Sequence, residues 1–162
     1  MRNSVRSIIV TVLMFVAGNS FAADAHLMVM DPWVREAPPN AKMLAGYFTI
    51  MNHSGKSAEI VGASSDKFEK VELHKSVQEG GVAKMVAQPS VEVGKHATVK
   101  FQPGGLHLML INPKAPLKAG DKVDITLKLK KGEDLKMTAV VKKGGSMEGH
   151  DHEHMEHMHH DN

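Results

Sequence analysis

At 162 residues the chain has room for one domain, with material to spare at both ends. Its 11 histidines and 12 methionines stand beside no cysteine, which excludes disulfide frameworks, thiol redox chemistry, cysteine nucleophiles and any copper electron-transfer site built on thiolate. The formal charge of +2 hides a polarity: residues 23–146 hold 18 Lys and Arg against 13 Asp and Glu, whereas residues 147–162 hold five acids and no Lys or Arg. The lysines are scattered, and one Trp, one Tyr and five Phe make no stacking platform for bases, so no nucleic-acid partner is expected.

The N-terminus reads as an export signal over residues 1–22. Arg2 and Arg6 supply the charged start, Ile8 to Ala17 a short apolar stretch, and Ser20-Phe21-Ala22 a small-x-small cleavage site. Cleavage is expected after Ala22, with no stable membrane insertion afterwards, because the apolar run is shorter than a bilayer span and no second one follows. Without a cysteine there, a diacylated lipid anchor is excluded. Trimming further, to Asp24, would make Asp24-Ala25-His26 an amino-terminal Cu(II) motif, but cleavage after Ala22 puts His26 fourth and spoils it.

Residues 23–143 form the expected domain, written in strands. Trp33, the only tryptophan, is expected in the core, and the prolines after it in a loop. Tyr47 to Met51 is β-rich and ends in the turn Asn52-His53-Ser54-Gly55. Phe68 to His74 puts Val71 and Leu73 on one face, Glu72 and His74 on the other, with His74 at the strand's end. Glu79-Gly80-Gly81 turns into Val82 to Ala87; Ala97, Val99 and Phe101 alternate with Thr98 and Lys100. Lys122 to Lys130 and Leu135 to Val141 alternate most regularly, around a reversal at Lys131 to Asp134. Seven to nine such strands at spacings of about ten residues, with no helical period, predict an all-β antiparallel sandwich or barrel. Met28, Met30, Met43, Met51 and Met137 are expected as packing, His53 and His96 as surface residues.

Leu106-His107-Leu108-Met109-Leu110 is the chemically suggestive strand. Alternation sends the leucines to a core and His107 with Met109 to the other face, where an imidazole beside a thioether suits a soft ion, Cu(I) above all. His74 and Met85 are the partners to weigh, with ten residues between them and twenty-one between Met85 and His107. These gaps fit a hairpin and two further strands, so three strand ends would meet at one exposed rim.

The pattern His74, Met85, His107-Leu108-Met109 resembles the motif of the periplasmic copper chaperones of the PCuAC family. So do Trp33-Val34-Arg35-Glu36-Ala37-Pro38, Ala45-Gly46-Tyr47-Phe48 with Asn52, Val71-Glu72-Leu73-His74 and Pro103-Gly104-Gly105. The resemblance covers about residues 28–142; Gly80-Gly81 stands where Asp-Gly is the commoner turn, and no proposed ligand departs. It implies a cupredoxin-like Greek-key barrel in the periplasm. It further implies one Cu(I) held by His74, Met85, His107 and Met109. The copper would pass to a protein acceptor such as a cytochrome c oxidase copper domain or another copper chaperone. No nucleophile-and-base arrangement is present and four ligands leave no open position for a substrate, so no enzyme is expected.

Residues 144–162 read as a flexible tail after Gly144-Gly145. Met147, His150, His152, His154, Met155, His157, Met158, His159 and His160, interleaved with acids and without apolar period, suit Cu(II) and other borderline ions. The alternative reading is a periplasmic protein that sequesters or buffers copper or mixed metals, with this tail as its working part.

Overall fold

Alternation of apolar and polar residues dictates strands, and strands are what residues 27–144, the span described by the computed structural model, form. In chain order they are β1 (Leu27–Arg35), β2 (Met43–Asn52), β3 (Ala58–Ser64), β4 (Phe68–Glu79), β5 (Val82–Ala87), β6 (Val91–Val93), β7 (Thr98–Phe101), β8 (Leu106–Pro113), β9 (Lys122–Leu129) and β10 (Leu135–Lys142). Among the described residues there is no helix. The export segment, His26 and the histidine-rich tail from Met147 onward lie outside them.

The sheet runs β5-β4-β8-β7-β2-β1-β10-β9-β3-β6, and a further β3–β4 pairing closes it into a barrel, with β5 and β6 outside the closure. This is the expected all-β cupredoxin-like architecture. Two seams are parallel, β1 with β10 and β7 with β8. β1 and β10 lie at opposite ends of the domain's sequence, whereas β7 and β8 are joined by the turn of residues 102–105 and meet only at the pair Phe101–Leu106.

The barrel is filled by inward side chains of alternating strands: Ile50, Ile60, Leu108, Leu110, Ile125 and Leu127 are each fully buried, and Phe48 stacks on Phe101 at 4.2 Å between ring centres. Each such side chain contributes about 1.5–3 kcal/mol by leaving water. Met137 is in this core, as expected. Trp33 is not: paired with Tyr47, it lies on the outer face of β1–β2, half-covered, its ring 4.6 Å from that of Tyr47. A bulge between Met30 and Trp33, with Asp31 at φ 49°, shifts the phase of β1 so that Val34 rather than Trp33 faces the core. Met28, Met30 and Met43 are likewise exposed rather than packed. His53 and His96 are exposed, as expected.

One polar side chain is buried with a full set of partners. The Asn52 amide nitrogen faces the carbonyl oxygens of Lys56, Val93 and Gly94 at 2.8–3.1 Å, and its Oδ1 accepts from the Ser54 N–H and Oγ–H. It ties the end of β2 to β6, which otherwise pairs only with β3. Truncating it strands three carbonyls, so Asn52→Ala should lose about 2–3 kcal/mol in urea unfolding. Asn52→Asp, which cannot donate, should lose at least as much, whereas an amide acting only as filler would tolerate the isostere.

Candidate metal centre

Two turns and one ladder assemble the site. Gly80 and Gly81, at φ 60° and 79°, make the two-residue loop whose positive φ angles match the twist of a hairpin, and this fixes Glu79 opposite Val82. Counting back along that register, Met85 falls opposite Ser76 and Ala87 opposite His74. On the other edge of β4, His74 pairs directly with His107 and Glu72 with Met109 of β8. Paired residues share a face, so Glu72, His74, Met85, His107 and Met109 all lie outside the barrel on adjacent strands. Leu73 opposite Leu108, and Val71 opposite Leu110, point into the core.

The two imidazoles stand 5.9 Å apart, ring centre to ring centre. Each is held at its far nitrogen. His74 Nε2 lies 2.9 Å from Glu72 Oε2; a carboxylate only accepts, so Nε2 carries the hydrogen. Glu72 is gripped in turn by Lys70 at 2.5 Å, and this ammonium, with the His74 N–H, holds its carboxyl below the usual carboxylate range. His107 Nδ1 donates to the Gly105 carbonyl at 3.1 Å, which also accepts from the Ser76 N–H at 3.0 Å. That carbonyl is aimed by the turn Gln102-Pro103-Gly104-Gly105, closed by Gly105 N–H to Gln102 O, with Pro at its second position and Gly104 at φ 78° in its third.

What remains are the inner nitrogens. His74 Nδ1 and His107 Nε2 are buried and have no hydrogen-bond partner. Buried lone pairs left so cost about 1–3 kcal/mol each. One ion with nitrogen bonds of about 2.0 Å would hold two ring centres up to roughly 6.4 Å apart, so a single ion fits between them. Met109 is 8% exposed, His107 2% and Met85 62%. Among the described residues no three His, Asp or Glu side chains converge as a metal-holding group; the sulfur-bearing side chains on this face are those of Met85 and Met109.

The rim expected from the sequence is absent. His74 is in the middle of β4, which continues to Glu79, and the candidate residues sit on the wall of the barrel; of the four, only Met85, on the edge strand β5, is open to solvent. The long β4–β5 hairpin, hidden in the sequence by the polar stretch Lys75 to Glu79, accounts for the difference. Register makes Met85 the diagonal neighbour of His74, within reach of a long side chain. Glu72 and Gly105 are the residues that sequence reasoning passed over; alternation put Glu72 on the His74 face, and that was the available signal.

The sequence profile of the family described as "Putative lipoprotein LpqE-like" matches residues 27–141. The protein RP573 of Rickettsia prowazekii is 36% identical over 108 residues, 64% of this chain and 60% of that protein, so the match spans less than two thirds of the relative's length. The copper-bound PCuAC domain from PmoF2 superposes with a TM-score of 0.62 at 19% identity, over 72% of this chain and 92% of that one. The Cu(I) form of DR1885 from Deinococcus radiodurans gives 0.58 at 32% identity, over 79% and 87%. The barrel is therefore of the PCuAC class. The chain belongs to the LpqE-like family. Nothing in these 162 residues could carry the lipid of that family's description through a cysteine, because there is none.

The hydrogen bonds fix opposite tautomers for the two rings, Nε2–H in His74 and Nδ1–H in His107. Nitrogen-15 spectra of the neutral rings should show both, and Glu72→Ala should mix the tautomers of His74 while leaving His107 unchanged. Equal mixing in both rings would remove Glu72 from this role.

Proposed function

We propose that the protein is an exported copper chaperone that binds one Cu(I) through His74 Nδ1, His107 Nε2 and the sulfurs of Met109 and Met85. The observation that carries this reading is the pair of buried, partnerless imidazole nitrogens on directly opposed residues, with a buried thioether on the same face. Neutral soft donors leave the centre at the charge of the ion and favour Cu(I) over Zn(II) and Cu(II). The likeness to DR1885, solved with Cu(I), supports the same ion here.

Delivery follows from the uneven exposure of the ligands. His107 and Met109 are held in the barrel wall, whereas Met85 is on an edge strand and can be displaced first by a ligand of the acceptor. The acceptor in this reading is a cuproenzyme domain such as the copper domain of cytochrome c oxidase, met in the periplasm. The histidine-rich tail, Met147 to His160, takes Cu(II), so that the protein handles both oxidation states, and its tether keeps it near the barrel.

Anaerobic Cu(I) competition titration tests the centre. His107→Ala and Met109→Leu should each weaken binding by roughly 100-fold, about 2.7 kcal/mol, and Met85→Leu by only about tenfold. A tight equivalent that survives both of the first two changes would sink the assignment. A chain ending at Gly145 should lose the Cu(II) d–d absorption band and keep Cu(I) binding; an unchanged band would refute the role of the tail.

A further inference from the structure

β1 and β2 pair antiparallel, and their two faces differ in composition. The inward face carries Leu27, Val29, Val34, Leu44, Phe48 and Ile50 and no methionine. The outward face carries Met28, Met30, Met43 and Met51 and no Leu, Ile or Val. Methionine ordinarily serves as an adaptable core filler. Here it is kept out of the core and gathered where packing does not need it.

Three of the four are neighbours. Met28 is directly opposite Met51, which sets their Cβ atoms about 5 Å apart, and Met30 follows on the same face about 7 Å along the strand. Met28 is 52% and Met30 39% exposed, and Met51 is half-buried. Each has three rotatable bonds, so the sulfurs can converge without moving the backbone. On this face Lys100 is paired with Thr49, which is itself opposite Met30, and Met28 and Met51 are direct partners with no ammonium between them.

Neutral thioethers without imidazole or carboxylate select a soft monovalent ion and give Cu(II) or Zn(II) little to hold. Met51 is six residues along β2 from Ala45, which faces Met109; that is about 20 Å, too far for an ion to be shared with the His–Met centre. We propose that Met28, Met30 and Met51 form a second Cu(I) site, an open three-thioether site weaker than the centre on β4 and β8. The choice of ion rests on the copper reading above; the site itself rests on the composition and register of β1–β2. Being solvated and without imidazole, it loads after the first site and exchanges its ion readily.

The test is anaerobic Cu(I) titration of the full chain labelled with carbon-13 at the methionine methyls, each resonance assigned by a single Met→Leu substitution. Met85 and Met109 should move with the first equivalent. Met28, Met30 and Met51 should then move together with later equivalents, and in Met28→Leu the shifts of Met30 and Met51 should be largely lost. Leucine keeps the bulk of these exposed side chains and removes only the sulfur, so the fold survives the change. The proposal is overturned if the three methyls stay still under excess Cu(I) while the tail methyls of Met147, Met155 and Met158 move. It is equally overturned if Met28→Leu leaves the shifts of Met30 and Met51 intact, which would mean independent, adventitious contacts. Immobile Met85 and Met109 would count against the His–Met centre alone, because the three β1–β2 methyls are read separately.

Discussion

The cross-strand pair of His74 and His107 depends on a register that neither histidine sets. Leu73 opposite Leu108 and Val71 opposite Leu110 are buried in the barrel, and each residue that leaves water there contributes about 1.5–3 kcal/mol. A slip of β4 by one residue against β8 would turn Val71 and Leu73 outward and His74 inward, away from His107. Hydrophobic burial on the inner face therefore holds the imidazoles in place on the outer one. Stability of the barrel and geometry of the site are one constraint seen from two sides of a sheet.

That coupling also explains why the site is rigid on one flank and open on the other. β8 is paired on both of its edges, and His107 and Met109 are covered although they point away from the core. β5 has β4 as its sole neighbour and is exposed along its whole length. The ligand candidates thus span a gradient from fixed to displaceable within three adjacent strands. An ion bound across that gradient has an ordered way to leave, beginning at Met85.

Much of this was legible in the sequence, and the limits have a common cause. Alternation says which residues share a face, so Leu106, Leu108 and Leu110 were separable from His107 and Met109, and β5, β9 and β10 had nearly their observed bounds. It does not say what covers the other face. His107 and Met109 looked exposed and are buried; Met28, Met30 and Met43 looked like filler and are exposed. Trp33 was expected in the core because a lone tryptophan usually is; a bulge between Met30 and Trp33 turns it to the outer face of β1–β2 instead. The short β6 and the parallel β1–β10 seam depend on pairing partners far apart in the chain, which local pattern does not carry.

The two imidazoles are alike in burial of their free nitrogens and unlike in what holds the others. His107 is anchored by a backbone carbonyl, which the Pro103–Gly104 turn positions and which also accepts from Ser76. That carbonyl carries no charge and cannot be moved without rebuilding the turn. His74 is anchored by a carboxylate that is itself paired with Lys70. A carboxylate partner makes an imidazole a stronger donor than a carbonyl does, and this contact is on side chains that can move. The stronger donor is therefore also the adjustable one, and it sits next to the exposed Met85. Any event that draws Glu72 away from His74 makes His74 a weaker donor on the open side of the site, whereas His107, anchored in β8, keeps its carbonyl partner.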